Sequence, residues 1–259
     1  KMLQKISGTS MLEKICYTAG AVSSDITLVV GFDKESVIKE SNSYNLNITS
    51  SLQPKPIGTG DAVRCGLDKV HDSSKVLVLY GDVPLIKKET LQKLIASSDT
   101  GLSILTTVLD NPIGYGRVKT NDKNEALEIV EEKDATDEER QIKEIFTGVL
   151  CGSKALLEEG LSKITNSNAA GEFYLTDLVS IINEKGIRIN TYKASNDEVK
   201  GANSKQELEQ LETTYRSMKA EDLFNKGITI TDASRLVVRG IIESGKDLYL
   251  IQTSEPRSL

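Results

Sequence analysis

Apolar and polar positions along this chain follow two periods, and the switches between them mark its elements. Residues 11–20 carry apolar side chains at helical spacing and end on Gly20, which predicts a helix with a glycine stop. A continuous apolar run at 26–30 predicts a buried strand; 31–38 begins a second short helix, and 46–49 reads as a weaker strand. The proline- and glycine-rich stretch 53–60 leads into a helix reaching residue 70. Residues 76–79 are apolar without alternation, as expected of a central parallel strand buried on both faces. A helix at 88–96, a strand at 103–108, a glycine-rich turn at 112–118 leading into a strand, and strands at 126–133 and 145–151 follow. Helices at 156–164 and 175–185 and an alternating strand at 187–192 complete this part. Ser204 and Glu207 then form a capping box for a long helix with apolar residues Leu208, Leu211, Tyr215, Met218 and Phe224, stopped by Gly227. Residues 228–230 and 236–238 predict short strands of a different character, so a boundary falls near Gly227.

This alternation predicts an α/β fold with a Rossmann-like, mostly parallel sheet flanked by helices. A chain of 259 residues with 38% hydrophobic and 27% charged residues has the composition of a soluble globular protein, expected in the cytoplasm. No apolar run is long enough to span a bilayer, and no secretory signal pattern is present. The net charge of −6 and the absence of a basic stripe argue against a nucleic-acid groove. Cys16, Cys65 and Cys151 are scattered and odd in number, against a disulfide framework or a zinc site. The single histidine, His71, lies among polar residues, which argues against histidine triads and histidine metal sites.

Two stretches carry candidate chemistry. Asp82 follows the 76–79 strand between Gly81 and Pro84, at the carboxyl end where open α/β sheets bind ligands; Gly-Asp at that place is also an ordinary turn. Thr59, between Gly58 and Gly60 at a helix start, is either an N-cap or part of a loop whose free N–H groups suit a phosphate or a base edge.

Several ordered motifs occur at compatible spacing: Leu52-Gln53 with Gly58-Thr59-Gly60, 79–85, Gly114-Tyr115-Gly116-Arg117, 130–135, 171–177 and 199–203. With these the chain resembles, over nearly its whole length, the pyrophosphorylase domain of bacterial bifunctional N-acetylglucosamine-1-phosphate uridyltransferase/glucosamine-1-phosphate acetyltransferases. The resemblance implies a nucleotide-diphospho-sugar transferase fold, with a pyrophosphorylase domain at 1–203, a linker helix at 204–227 and the start of a left-handed β-helix at 228–259. It implies a uridylyltransferase that joins UTP and N-acetylglucosamine 1-phosphate with Mg²⁺, giving pyrophosphate and the UDP-N-acetylglucosamine used for cell-envelope polymers.

By the same resemblance, Gln53, Gly58 and Thr59 would hold the uracil, Tyr80, Gly81 and Asp82 would face the nucleotide sugar, and Asp82 and Asn203 would share the magnesium ion. Gly116 and Glu131 would address the sugar, with Tyr174 and Thr176 on the same side, and Lys1 would reach the phosphates. On the residues alone, Glu131 is a solvated strand charge and Asn203 a turn residue. Phe146 stands where the family commonly has an asparagine touching the sugar. The family's strand and glycine-rich phosphate loop before Lys1 are expected to be missing here, as are most β-helix coils, so neither acetyltransferase activity nor a trimer built on that helix is expected. The competing readings are a catalytically impaired fragment that binds uridine nucleotide sugars, and a related glycosyltransferase, against which stands the lack of an Asp-x-Asp motif.

Overall fold

The computed structural model describes residues 1–239 and the backbone of strand Tyr249–Leu250. In chain order the elements are β1 (Lys5–Ile6), β2 (Thr9–Ser10), α1 (Met11–Gly20), β3 (Ile26–Val30), α2 (Lys34–Ser41), β4 (Ile48–Leu52), α3 (Thr59–Leu67), β5 (Lys75–Val78), α4 (Lys88–Ser97), β6 (Leu102–Val108), β7 (Arg117–Thr120), β8 (Ala126–Val130) and β9 (Glu144–Ser153). They continue with α5 (Lys154–Leu161), α6 (Asp177–Asn183), β10 (Ile189–Lys193), α7 (Lys205–Asn225), β11 (Thr229–Ile230) and β12 (Tyr249–Leu250).

The spine is β9. One of its edges pairs antiparallel with β6, and its opposite edge is shared by β5 at one end and β7 at the other. β10 extends the sheet beyond β6 in parallel, and β8 extends it beyond β7. β3 and β4 form a separate parallel pair joined through α2. The α/β architecture is therefore as expected, but its sheet is mixed, with antiparallel pairing concentrated on β9. β5 differs from the expected central parallel strand: it is partly buried and, among the described residues, pairs with β9 alone. Its unbroken apolar run serves two layers, Val76 and Val78 packing with α5 and α6, and Leu77 and Leu79 with α4.

β6 and β9 sort their side chains the same way, because neighbouring residues of a strand point to opposite faces. Leu102, Ile104, Phe146 and Leu150 join Leu157, Leu161, Leu178 and Ile182 in one core. Leu105, Val149 and Cys151 join Ile15, Leu91 and Leu94 in the other.

The β6–β9 register shifts between Ile104↔Leu150 and Thr106↔Phe146, so β9 carries extra residues there. Gly148 takes φ +85°, and the Thr147 hydroxyl donates to the Leu105 carbonyl that the shift passes over, at 2.8 Å. This is a bulge that a glycine permits and a threonine satisfies.

The capping box forms at α7: Ser204 Oγ accepts the Glu207 N–H at 3.1 Å, and Glu207 Oε2 accepts from Ser204 N at 3.2 Å and Asn203 N at 2.5 Å. Leu211 packs against Ile6, Met11 and Leu85, tying α7 to the start of the chain. Residues 236–238, expected as a strand, lie outside regular structure, with Leu236 and Val238 packed on Leu223 and Ile228. β11 pairs parallel with β12; the expected start of a β-helix otherwise lies largely outside the described residues.

Ser204→Ala should cost about 1 kcal/mol of stability through the lost cap, whereas Ser204→Thr should restore most of it. Urea unfolding of the three proteins checks this, and equal midpoints for Ser204→Ala and parent would remove the cap's energetic role.

Candidate active site

The two strands on the outer edge of β9 do not meet. β5 reaches Leu150, β7 begins opposite Ile145, and residues 146–149 between them face the ends of both. A cavity of about 410 Å³ opens at that break, lined among others by Tyr80, Asp82, Gly116, Glu131, Phe146, Gly148, Thr176 and Asn203. A larger depression of about 600 Å³ lies between the end of α1 and α4, beside the Lys75–Asp99 ion pair; none of the expected site residues lines it.

Asp82 sits in the turn closed by the Val83 N–H on the Tyr80 carbonyl at 3.2 Å, so it is a turn residue and a cavity residue together. Lys1 Nζ lies 2.5 Å from both Asp82 Oδ2 and Asn203 Oδ1. Two oxygens from distant parts of the sequence thus converge on one positive centre. The loop before α7 presses on this point, since a Cβ on Gly201 would stand 3.0 Å from the Asp82 carbonyl oxygen. The Glu207 carboxylate holds the Asn203 backbone, so the α7 cap also fixes the amide beside Asp82. Gly81 borders the site: a Cβ there would meet Met2 Sδ at 2.5 Å.

Glu131 is not a solvated charge. The strand ends at Val130, and the Asp134 N–H on the Glu131 carbonyl at 3.0 Å turns the chain there. Thr176 Oγ1 donates to Glu131 Oε1 at 2.9 Å. Burial raises the Glu131 pKa and the Thr176 bond opposes it, with Asp134 and Glu172 raising it further. Asp177, beside it, is raised to about 6 by burial and by Glu131 and Asp134. The Tyr80 ring packs where a Cβ on Gly148 would stand, 2.6 Å from Tyr80 Cζ; burial pushes its phenol to about 12, with the neighbouring Thr59 side chain opposing the rise. Tyr174 lies near Glu131, Asp134 and Glu172 without lining the cavity.

Gln53, Gly58 and Thr59 form a second group outside the cavity. Gln53 Nε2 donates to the Gly58 carbonyl at 3.1 Å and to Asp61 Oδ2 at 2.9 Å. Gly58, at φ +127°, is the N-cap of α3, so Thr59 is the first helical residue and its side chain makes no cap. Its hydroxyl instead accepts the Leu175 N–H at 3.1 Å. Phe173 donates to the Ile57 carbonyl at 2.8 Å and accepts from the Gly60 N–H at 2.9 Å, so the loop and the 171–177 segment are zipped together.

Phe146 stands in the cavity wall, 6% exposed, its N–H on the Gly116 carbonyl at 3.0 Å. Thr147 and Gly148 belong to no motif; their signal in the sequence is a glycine inside the apolar run 145–151, which marks a bulge. No trio of His, Cys, Asp or Glu able to hold a metal occurs among the described residues.

An α/β domain whose cavity opens at the carboxyl end of β5 has the form of a nucleotide-binding transferase. Residues 1–156 match the model of the MobA-like NTP transferase domain, and the chain belongs to that nucleotidyltransferase family. The "Bifunctional protein GlmU" of Psychrobacter sp. (strain PRwf-1) is 37% identical over 252 residues, and that of Methylococcus capsulatus (strain ATCC 33009 / NCIMB 11132 / Bath) 40% identical over 254, each match covering 96% of this chain. The chain spans about half the length of these relatives, 55%. A solved structure of UDP-glucose pyrophosphorylase complexed with UDP-glucose aligns with a TM-score of 0.67 at 14% identity, over 84% of this chain and 90% of that one, and shows the shared fold. No helix among the described residues is long and apolar enough to cross a membrane.

Asp177, with a folded pKa near 6 against an ordinary 3.8, is protonated in the fold at pH 4 and must ionise against burial at pH 7. The stability it contributes as a neutral acid is therefore lost as pH rises from about 4 through about 6. Asp177→Asn should match the parent near pH 4 and exceed it at pH 7 by about 1 kcal/mol, a figure discounted for solvent screening because the group is only half-buried. Urea midpoints across that range check this, and a difference that does not change with pH would assign the effect to packing.

Proposed function

We propose that this domain transfers the uridylyl group of UTP to N-acetylglucosamine 1-phosphate, giving UDP-N-acetylglucosamine and pyrophosphate. The carrying observation is that the cavity bearing the convergent oxygens of Asp82 and Asn203 also bears the Glu131–Thr176 pair. Relatives named GlmU and the family membership support this reading.

The reaction is an in-line displacement: a phosphate oxygen of the sugar phosphate attacks the α-phosphorus of UTP and pyrophosphate leaves. No side-chain nucleophile is required, which suits the residues present. Cys16 is buried with its thiol pushed up to about 11, Cys151 is buried and likewise raised, and His71 is exposed among polar neighbours. Catalysis is then placement and charge neutralisation. Glu131, steadied by Thr176, accepts sugar hydroxyls, the Gly116 main chain meets the same sugar, and the Gln53–Thr59 loop holds the base.

The Asp82 and Asn203 oxygens suit a hard divalent cation, because they already face a single positive charge at 2.5 Å. Two protein oxygens leave the remaining coordination to phosphate and water. These two residues would hold a magnesium ion, which when bound neutralises phosphate charge. Lys1, placed between them, is the residue we assign to the phosphates.

Asp82→Asn should keep the melting temperature within a few degrees of the parent while lowering pyrophosphate release from UTP and N-acetylglucosamine 1-phosphate by at least about 100-fold. Parental turnover by the variant would sink the role of Asp82. Glucose 1-phosphate used with equal efficiency would sink the choice of sugar.

A further inference from the structure

Arg117 is 1% exposed and the bulkiest of the fully buried side chains. It opens β7, where its register partners are Val130 and Ile145, the residues just before Glu131 and Phe146. At Arg117, three neighbouring strands thus turn from paired sheet into cavity wall.

Its guanidinium folds back over that transition. Nη1 donates to the Tyr115 carbonyl, and Nη2 donates to Glu132 Oε2 at 2.6 Å. The same carboxylate oxygen accepts the Gly114 N–H at 3.2 Å. Arg140 completes the ring, with Nε 3.5 Å from Glu132 Oε1 and Nη2 3.4 Å from the Glu132 carbonyl. The turn 114–116 is therefore stapled to the segment that carries Glu131. Gly116 shows how little play this leaves: a Cβ there would lie 2.8 Å from Ile129 Cγ2 and 3.6 Å from Glu131 Oε1.

Such a staple is a poor device for stability alone. Burying a guanidinium carries a desolvation cost that its partner only partly returns, and Arg117 Nε has no partner among the described atoms. A packed apolar side chain would fill the space without that cost. What the planar fork adds is geometry, since it binds a carbonyl and a carboxylate at fixed angles.

We propose that Arg117 and Glu132 are positioning residues for the sugar half of the cavity: they set the spacing between the 114–116 main chain and the Glu131 carboxylate, and so the preference for a sugar-bearing nucleotide over the bare one. This rests on the nucleotide-sugar reading above. The uracil side, carried by the Gln53–Thr59 loop, is not held by this staple.

Calorimetry with UDP and with UDP-N-acetylglucosamine, on the parent, Arg117→Met, Glu132→Gln and the double variant Arg117→Met/Glu132→Leu, tests it. The double variant leaves no unpaired buried charge, so it reports on positioning even if Arg117→Met fails to fold. Arg117→Met and the double variant should bind UDP within about twofold of the parent and the nucleotide sugar at least about tenfold more weakly. Glu132→Gln, whose amide oxygen still accepts from Arg117 and Gly114, should stay within about threefold. An undiminished sugar preference in the double variant overturns the proposal, as does an equal loss for both ligands, which would mean general loosening. A parent with no preference for UDP-N-acetylglucosamine overturns the nucleotide-sugar reading itself, and this assignment with it.

Discussion

The bulge in β9 is the constraint on which the site depends. A strand pairing regularly along both edges would leave no room between β5 and β7, and the sheet would be closed where the cavity now lies. Gly148 lets the backbone take a left-handed turn in mid-strand, and Thr147 supplies the hydrogen bond that the skipped carbonyl would otherwise lack. The vacated volume beside Gly148 is taken by the Tyr80 ring. Tyr80 is therefore packed by the same irregularity that makes the cavity.

From that point the site divides into two parts with different supports. The Glu131–Thr176 pair hangs from the end of β8 and the start of α6, with Asp177 behind it, while Asp82 and Asn203 come from the turn after β5 and the cap of α7. Several of these groups are held by a further side chain: Thr176 for Glu131 and Glu207 for the Asn203 backbone, both within the cavity lining, and Arg117 with Glu132 behind it for the glycine turn. The polar groups facing the cavity are thus few, and side-chain and main-chain hydrogen bonds fix their geometry.

Much of the fold was legible because its local signals agree with its packing. The apolar stripe and Gly20 bound α1 as read, with Ser10 found as its N-cap, and the capping box of α7 forms as its spacing implies. Elsewhere tertiary context prevailed. β4 lies further along than expected, at Ile48–Leu52, because Ser51 is buried with its hydroxyl on the Cys65 carbonyl, a use of serine that hydropathy does not reveal. The predicted strand at 126–133 stops at Val130, where Glu131 turns into the cavity. Asp82 stood out from its own strand-end turn, whereas Glu131 and Asn203 became candidates only through the joint resemblance of individually weak motifs to a family. The Arg117 staple was illegible for a physical reason: an arginine in a short strand reads as an exposed edge, and its burial follows from pairing on both sides.

The separation of the two sheets has a mechanical consequence. β3 and β4 share no strand pairing with the six-stranded sheet among the described residues, and the loop that carries Gln53 follows directly from β4. Where that loop meets the 171–177 segment, the contacts include two main-chain hydrogen bonds through Phe173 and the Thr59–Leu175 bond, a seam far smaller than a β-ladder. Amides along such a seam exchange with solvent through local opening rather than global unfolding. On the reading proposed above, a nucleotide sugar would span both sides, favour the closed seam and slow that exchange, so its binding would register in the protection of the Gly60 and Phe173 amides.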